Sequence, residues 1–206
     1  MKKIIGLAFV IVFSGLFGIN TQAAETRALI EGNDYEVVSP KASRDREVLE
    51  FFSYACGACY TMESIVEDFK KSNPEVKVVP VPTDLGHAQW EIYVKAYYLG
   101  KLLKVIDKSH PKVFHMIHVE KKHFLKEQDL KKFFVGLGVD PDRYDKASQS
   151  MALGLAIKKA KRLIRTYRVS GTPTFVANQR YKLNNQSLGS AEMIKKALKE
   201  LTRIEQ

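Results

Sequence analysis

The chain has 206 residues, 27 % of them charged, a formal net charge of +10 and only 2 cysteines. This length suits one domain with a good core, or a domain carrying a sizeable insertion, and so few cysteines exclude a small disulfide-stapled scaffold. The basic excess, which would favour anionic surfaces, falls on the polar sides of predicted amphipathic helices and serves solubility, and no basic run interleaved with stacking aromatics supports nucleic-acid binding.

Lys2 and Lys3 precede a mostly apolar run over residues 4–19, and Thr21-Gln22-Ala23 offers small residues of the kind a signal peptidase reads. A leader over residues 1–23, cleaved after Ala23, is expected. The run is short for a membrane anchor and is broken by Ser and Gly, so no integral membrane segment is expected after cleavage. Export would place the chain in an oxidising compartment, where disulfide chemistry belongs.

Residues 24–34 read as loose, 35–38 as an edge strand and 39–45 as a loop. Residues 48–53 form an apolar, aromatic-rich run, the pattern of a buried strand. Met62, Ile65, Val66 and Phe69 then recur at helical spacing, as far as Ser72-Asn73-Pro74. Residues 76–81 are strand-like and end at a proline. From His87 the period is helical: a helix to Gly100, a second piece over 102–106, a third starting at His110-Pro111 and a fourth over 126–137. A long stretch from Asp140-Pro141 to about Tyr167, broken near Gly154, completes the block. Strands return at 174–177 and 181–183, joined by Asn178-Gln179-Arg180, and Ser190 caps a last helix. The layout predicts an α/β protein: a mixed sheet flanked by helices and split by an inserted all-helical subdomain. The predicted parts are 24–85, the insertion 86–167, and 168–206.

Cys56 and Cys59 sit where the buried strand ends and the following helix begins. Free N–H groups and the dipole at a helix N-terminus favour negative charge. The thiolate is the reactive form, so Cys56 at the helix mouth reads as the attacking sulfur. Cys59, one turn further in, reads as the buried resolving thiol, and such a pair exchanges disulfides through a mixed disulfide. Half of a zinc site or two inert core cysteines are the alternatives, but zinc wants four ligands and no second CxxC exists. His110, His115, His118 and His123 cluster in the helical block; without a nearby acid or cysteine to complete a ligand set they read as exposed helix residues, and no metal site is predicted. Glu50 is an acid inside an apolar strand, which costs free energy unless it is paired or protonated. It reads as a functional acid rather than an outward-facing one.

The strand 48–53 leading into Cys56-Gly57-Ala58-Cys59, the helical insertion, and Val169-Ser170-Gly171-Thr172-Pro173-Thr174-Phe175-Val176 together resemble the periplasmic DsbA family of thiol oxidases, within the thioredoxin-like fold. The resemblance spans nearly the whole chain after the leader. It implies a cis Pro173 facing the disulfide, with the Thr172 backbone beside Cys56 and free to pair with an extended client segment. It implies that Glu50 is the buried acid under the inner cysteine, moving a proton to or from the resolving thiol. It implies a monomeric periplasmic oxidase that puts disulfides into reduced exported proteins, reoxidised by a DsbB-type membrane oxidase. The redox-active Cys56–Cys59 disulfide takes the place of flavin, haem or metal.

Two departures from the family pattern stand out. The strongest oxidants carry Pro and His between the cysteines, whereas this chain carries Gly57 and Ala58. A lysine that commonly neighbours the buried acid is replaced near Val79-Pro80-Val81. A less depressed Cys56 pKa and a less oxidising disulfide than the family's extreme are therefore expected. A disulfide isomerase or reductase of the same fold is the alternative enzyme, although residues 24–46 are too few for a separate dimerisation domain. A non-catalytic periplasmic chaperone is the alternative outside enzymology.

Overall fold

A computed structural model describes residues 27–203; the predicted leader lies outside them. The organising element is the strand β2 (Glu47–Phe52), buried at all six of its positions. Two neighbours account for this: β3 (Lys77–Pro82) lies parallel on one side and β4 (Thr174–Ala177) antiparallel on the other. The hairpin partner β5 (Tyr181–Leu183) follows β4, and β1 (Tyr35–Val37) closes that edge, giving the order β1-β5-β4-β2-β3. The hairpin turns through Asn178 and Gln179, both at positive φ (49° and 55°), the twist that right-handed strands prefer.

Strand side chains alternate between faces. Val48 packs with Val66 and Phe69 of α1 (Gly57–Ser72) and with Leu198 of α8 (Ala191–Leu201). Phe52, on the same face, packs with Cys59 and the helical block. Glu50 lies between them, so its side chain is directed beneath α1. Leu49 and Phe51 point the other way, onto Ala160 of α6 (Met151–Thr166) and Tyr167. Each such apolar side chain contributes roughly 1.5–3 kcal/mol on burial. The strand thus fixes the height at which its C-terminal end delivers the two cysteines.

The insertion between β3 and β4 holds a 3-10 turn (Ala88–Trp90), α2 (Glu91–Leu102), α3 (Ile106–His118), α4 (Glu127–Gly136), α5 (Pro141–Ser148) and α6. Four sequence expectations are corrected here. Gly100 does not end α2: a Cβ there would lie 2.4 Å from Ser109 Oγ, so the glycine permits close packing of α2 on α3. Between the helices only residues 103–105 form a turn, with Lys104 at φ 59°, so 102–106 is not a separate helical piece. Pro111 lies inside α3 rather than at its start; the buried side formed by Ser109, Val113, Phe114 and Ile117 keeps the helix despite the missing donor. The break between α5 and α6 falls at Gln149-Ser150, because the Ser150 hydroxyl accepts from Leu153 N at 3.2 Å and starts a new helix; Gly154 lies within α6. A four-residue helix, α7 (Asn185–Leu188), was not predicted; Asn184 caps it.

Candidate active site

Cys56 is the N-cap of α1, with extended backbone (φ −91°, ψ 115°). Its Sγ accepts a hydrogen bond from the Cys59 amide at 3.4 Å, so the sulfur fills the role usually taken by a capping oxygen. In the reduced form shown, the Cys56 thiol faces the carbonyl oxygen of Thr172 at 3.3 Å. Burial pushes this thiol up, but hydrogen bonds from the Thr172 side chain and from the Cys59 and Ala58 amides outweigh it, and its acidity ends above that of an ordinary cysteine. Cys59 is 1 % exposed and is held well above the ordinary thiol range, by burial first of all. The two sulfurs are therefore driven apart: one prepared to carry charge, the other to keep its proton.

Gly57 and Ala58 are exposed, and a Cβ on Gly57 would meet nothing within 4 Å. The bond between Thr172 and Pro173 is cis. The Pro173 carbonyl is held by Asn185 Nδ2 at 2.9 Å, and Thr174 Oγ1 donates to Gly171 O at 2.8 Å. Asn185 was not singled out from sequence; a four-residue helix leaves too little periodicity to mark it.

Glu50 is 3 % exposed and stands opposite Pro80 in the β2–β3 pair, where a residue without a cationic side chain faces it. Burial, reinforced by the negative charges of Glu63 and Glu67 and partly opposed by Lys70, pushes its carboxyl up to about 8. It lines a cleft of about 490 Å³ between α1, α2 and α3.

Below the redox turn the structure places residues that sequence reading had put elsewhere. The Tyr54 hydroxyl lies 2.6 Å from His110 Nδ1, and His110 Nε2 lies 3.1 Å from Glu63 Oε2. His118 Nε2 donates to the Tyr54 carbonyl at 2.8 Å, and its ring stacks on Tyr60 at 5.0 Å. His110 and His118 are thus half-buried, against the expectation of exposed helix histidines; His115 and His123 are exposed. The reason is tertiary: α3 lies across the segment before Cys56, and its inner face carries both rings. Among the described residues no cluster of three or more His, Cys, Asp or Glu has metal-site geometry. A larger groove of about 1160 Å³ begins at Tyr60 and continues along Phe114, Met116, Phe124 and Phe133.

A buried thiol, an acidified capping thiol and a cis-proline turn against them form an arrangement able to carry thiol–disulfide exchange. A family model described as a DSBA-like thioredoxin domain matches residues 93–199, which takes in most of the insertion and the Thr172-Pro173 turn but begins after Cys59. The thiol:disulfide interchange protein DsbA of Pseudomonas aeruginosa is 30 % identical over 197 residues, covering 93 % of this chain and 91 % of that protein. Its counterpart in Azotobacter vinelandii is 31 % identical over 199 residues, covering 93 % and 92 %. A crystal structure of a Pseudomonas aeruginosa DsbA variant superposes with a TM-score of 0.79 at 28 % identity, covering 85 % of this chain and 97 % of that one. The oxidoreductase DsbA of Xylella fastidiosa gives 0.73 at 25 % identity, covering 82 % and 93 %. With such similarity along almost the whole length, the chain belongs to the DsbA family of thiol:disulfide oxidoreductases.

Proposed function

We propose that this protein introduces disulfide bonds into reduced exported proteins in the periplasm, through the Cys56–Cys59 disulfide. A client thiolate attacks Cys56, the Cys56–Cys59 bond breaks, and its electron pair goes to the Cys59 sulfur, which takes up a proton. A second client thiolate then attacks the client sulfur of the mixed disulfide. Cys56 leaves as a thiolate, and the client carries the new bond. The observation that carries this reading is the opposed acidity of the two thiols around one helix start. A leaving group stable as an anion favours release of an oxidised client.

Glu50 serves as the proton donor and acceptor for Cys59. Thr172 and Pro173 form the edge against which an extended client lies, and Gly57 and Ala58 set the poise. The working part divides into 24–85, an inserted helical subdomain 86–167 and 168–206; the protein acts as a monomer and is reoxidised by a DsbB-type membrane oxidase. Thiol trapping in cells tests the direction of flow. A mainly oxidised Cys56–Cys59 pair fits this reading. A mainly reduced pair would make the protein an isomerase or reductase, the alternative favoured by a spacer with no side chain able to donate to the Cys56 sulfur.

A further inference from the structure

The cations of this chain are not spread evenly. Each of α1, α2, α3, α4, α5 and α8 carries acids and bases together, whereas the 16 residues of α6 hold five Lys or Arg and no Asp or Glu. A surface that only keeps a protein soluble has both signs interspersed. Lys161 is paired with Glu91 at 2.5 Å. Lys158, Lys159, Arg162 and Arg165 are exposed and form no ion pair among the described residues.

Helical geometry lines three of these cations up with two bare apolar side chains. Met151, Leu155, Lys158, Arg162 and Arg165 alternate in steps of four and three residues, which keeps them on one side of α6 over roughly 21 Å. Met151 is 81 % exposed and Leu155 59 %. The opposite side of the helix is buried through Leu153 and Ala160, and Ala160 packs with Leu49 and Phe51 of β2. Because α1 packs on the other face of β2, through Val48, the stripe faces away from α1.

We infer that the outer stripe of α6 docks on a phospholipid surface with anionic headgroups. Met151 and Leu155 enter the boundary between headgroups and acyl chains, while Lys158, Arg162 and Arg165, with Lys159 beside them, meet the phosphates. Other occupants suit the stripe less well. It presents no aromatic ring on which the bases of a single-stranded nucleic acid could stack, and no aromatic anchor of the kind that centres a protein interface. Two copies paired in parallel would set cation against cation. Paired antiparallel, they would set Met151 against Arg165, so the cations meet no acid in either case. Docking through this stripe holds the exchange centre at a membrane without covering α1.

Vesicle flotation of the protein freed of its predicted leader, residues 24–206, tests this. Mixed vesicles of phosphatidylethanolamine and phosphatidylglycerol supply the anionic surface, and phosphatidylcholine vesicles the neutral one. The protein should bind the first and not the second, and binding should weaken as salt is raised toward about 0.5 M. Lys158→Gln, Arg162→Gln and Arg165→Gln together should weaken it about a hundredfold, at roughly fivefold per cation. Met151→Ser with Leu155→Ser should weaken it about tenfold, through the apolar area no longer buried. Lys71→Gln, Lys108→Gln and Lys199→Gln together remove the same charge from scattered exposed sites and should leave binding within a few-fold of wild type. Exchange with a soluble dithiol peptide should be unchanged in every variant, which shows the fold and the site intact. Equal binding to both kinds of vesicle, or a loss as large in the scattered variant as in the α6 one, would overturn the inference. So would an unaffected Met151→Ser/Leu155→Ser variant, the mark of a general polyanion site, or a vesicle-free dimer that the α6 substitutions dissolve.

Discussion

Cys56 Sγ lies 3.3 Å from the carbonyl oxygen of Thr172, a residue 116 positions away in sequence. That contact joins the start of α1 to the turn before β4. The sheet makes it possible, because β2 and β4 are antiparallel neighbours and Phe51 pairs with Thr174. The end of one strand and the start of the other therefore meet at the same edge, and a reactive sulfur faces an open stretch of backbone.

The first expectation concerns division of labour between the sulfurs. Cys56→Ser abolishes exchange with a reduced dithiol peptide. Cys59→Ser retains the first attack on an added disulfide but cannot resolve it, so a mixed disulfide through Cys56 accumulates. Non-reducing gels and intact mass report both. Equal accumulation through either cysteine would contradict the assignment.

Glu50 predicts a pH dependence of stability. Its carboxyl is raised in the folded state to about 8 from an ordinary value of 4.5. The folded state therefore holds the proton more tightly than the unfolded chain. Below about pH 4.5 the buried acid is neutral in both states and imposes no ionisation cost; as pH rises toward 8, stability is progressively lost. Glu50→Gln should remove that loss. The variant's gain in unfolding free energy should grow between these limits, to roughly 5 kcal/mol at most, at about 1.4 kcal/mol per pKa unit. Urea unfolding at several pH values measures it. A gain independent of pH would mean that Glu50 is not carrying the titration.

The spacer can be tested because it is open. With nothing near a Gly57 Cβ and with Ala58 exposed, substitutions there should leave the fold intact. Ala58→His places a donor and a positive charge beside the capping sulfur. Alkylation of Cys56 at about pH 6 should then rise on the order of tenfold, for a pKa lowered by about one unit. The disulfide should become more oxidising in parallel against glutathione. No change in either would show that the backbone alone sets the poise.

Asn185 holds the Pro173 carbonyl at 2.9 Å. Asn185→Ala should cost about 1 kcal/mol of stability, the typical net worth of one hydrogen bond. Its larger effect should fall on client binding: KM for a dithiol peptide rises while Cys56 alkylation stays unchanged. Calorimetry and steady-state kinetics separate the two.

How far these features could be read from sequence depends on how local their causes are. The placement of Cys56 and Cys59 was legible because the apolar, aromatic-rich run before them gives way to helical spacing from Met62 onward, and the switch itself locates the helix mouth. Burial of Glu50 followed from its apolar neighbours. The helix boundaries were less legible because the same residue types serve two ends: Gly100 looks like a stop but is a contact with Ser109, and Ser150, not Gly154, supplies the break. His110 and His118 were misplaced because nothing in α3 alone reveals that it crosses the residues before Cys56. Only the packing of the insertion on the end of β2 brings their rings to Tyr54.

The acidity of Cys56 is the most direct test of the account. Thiolate absorbance of the reduced protein should be titrated alongside Cys59→Ala, which isolates the capping sulfur. The account predicts half-ionisation of Cys56 clearly below about 8.5, the value of a free cysteine, while Cys59 stays protonated through the same range. Half-ionisation of Cys56 at or above that value would contradict it.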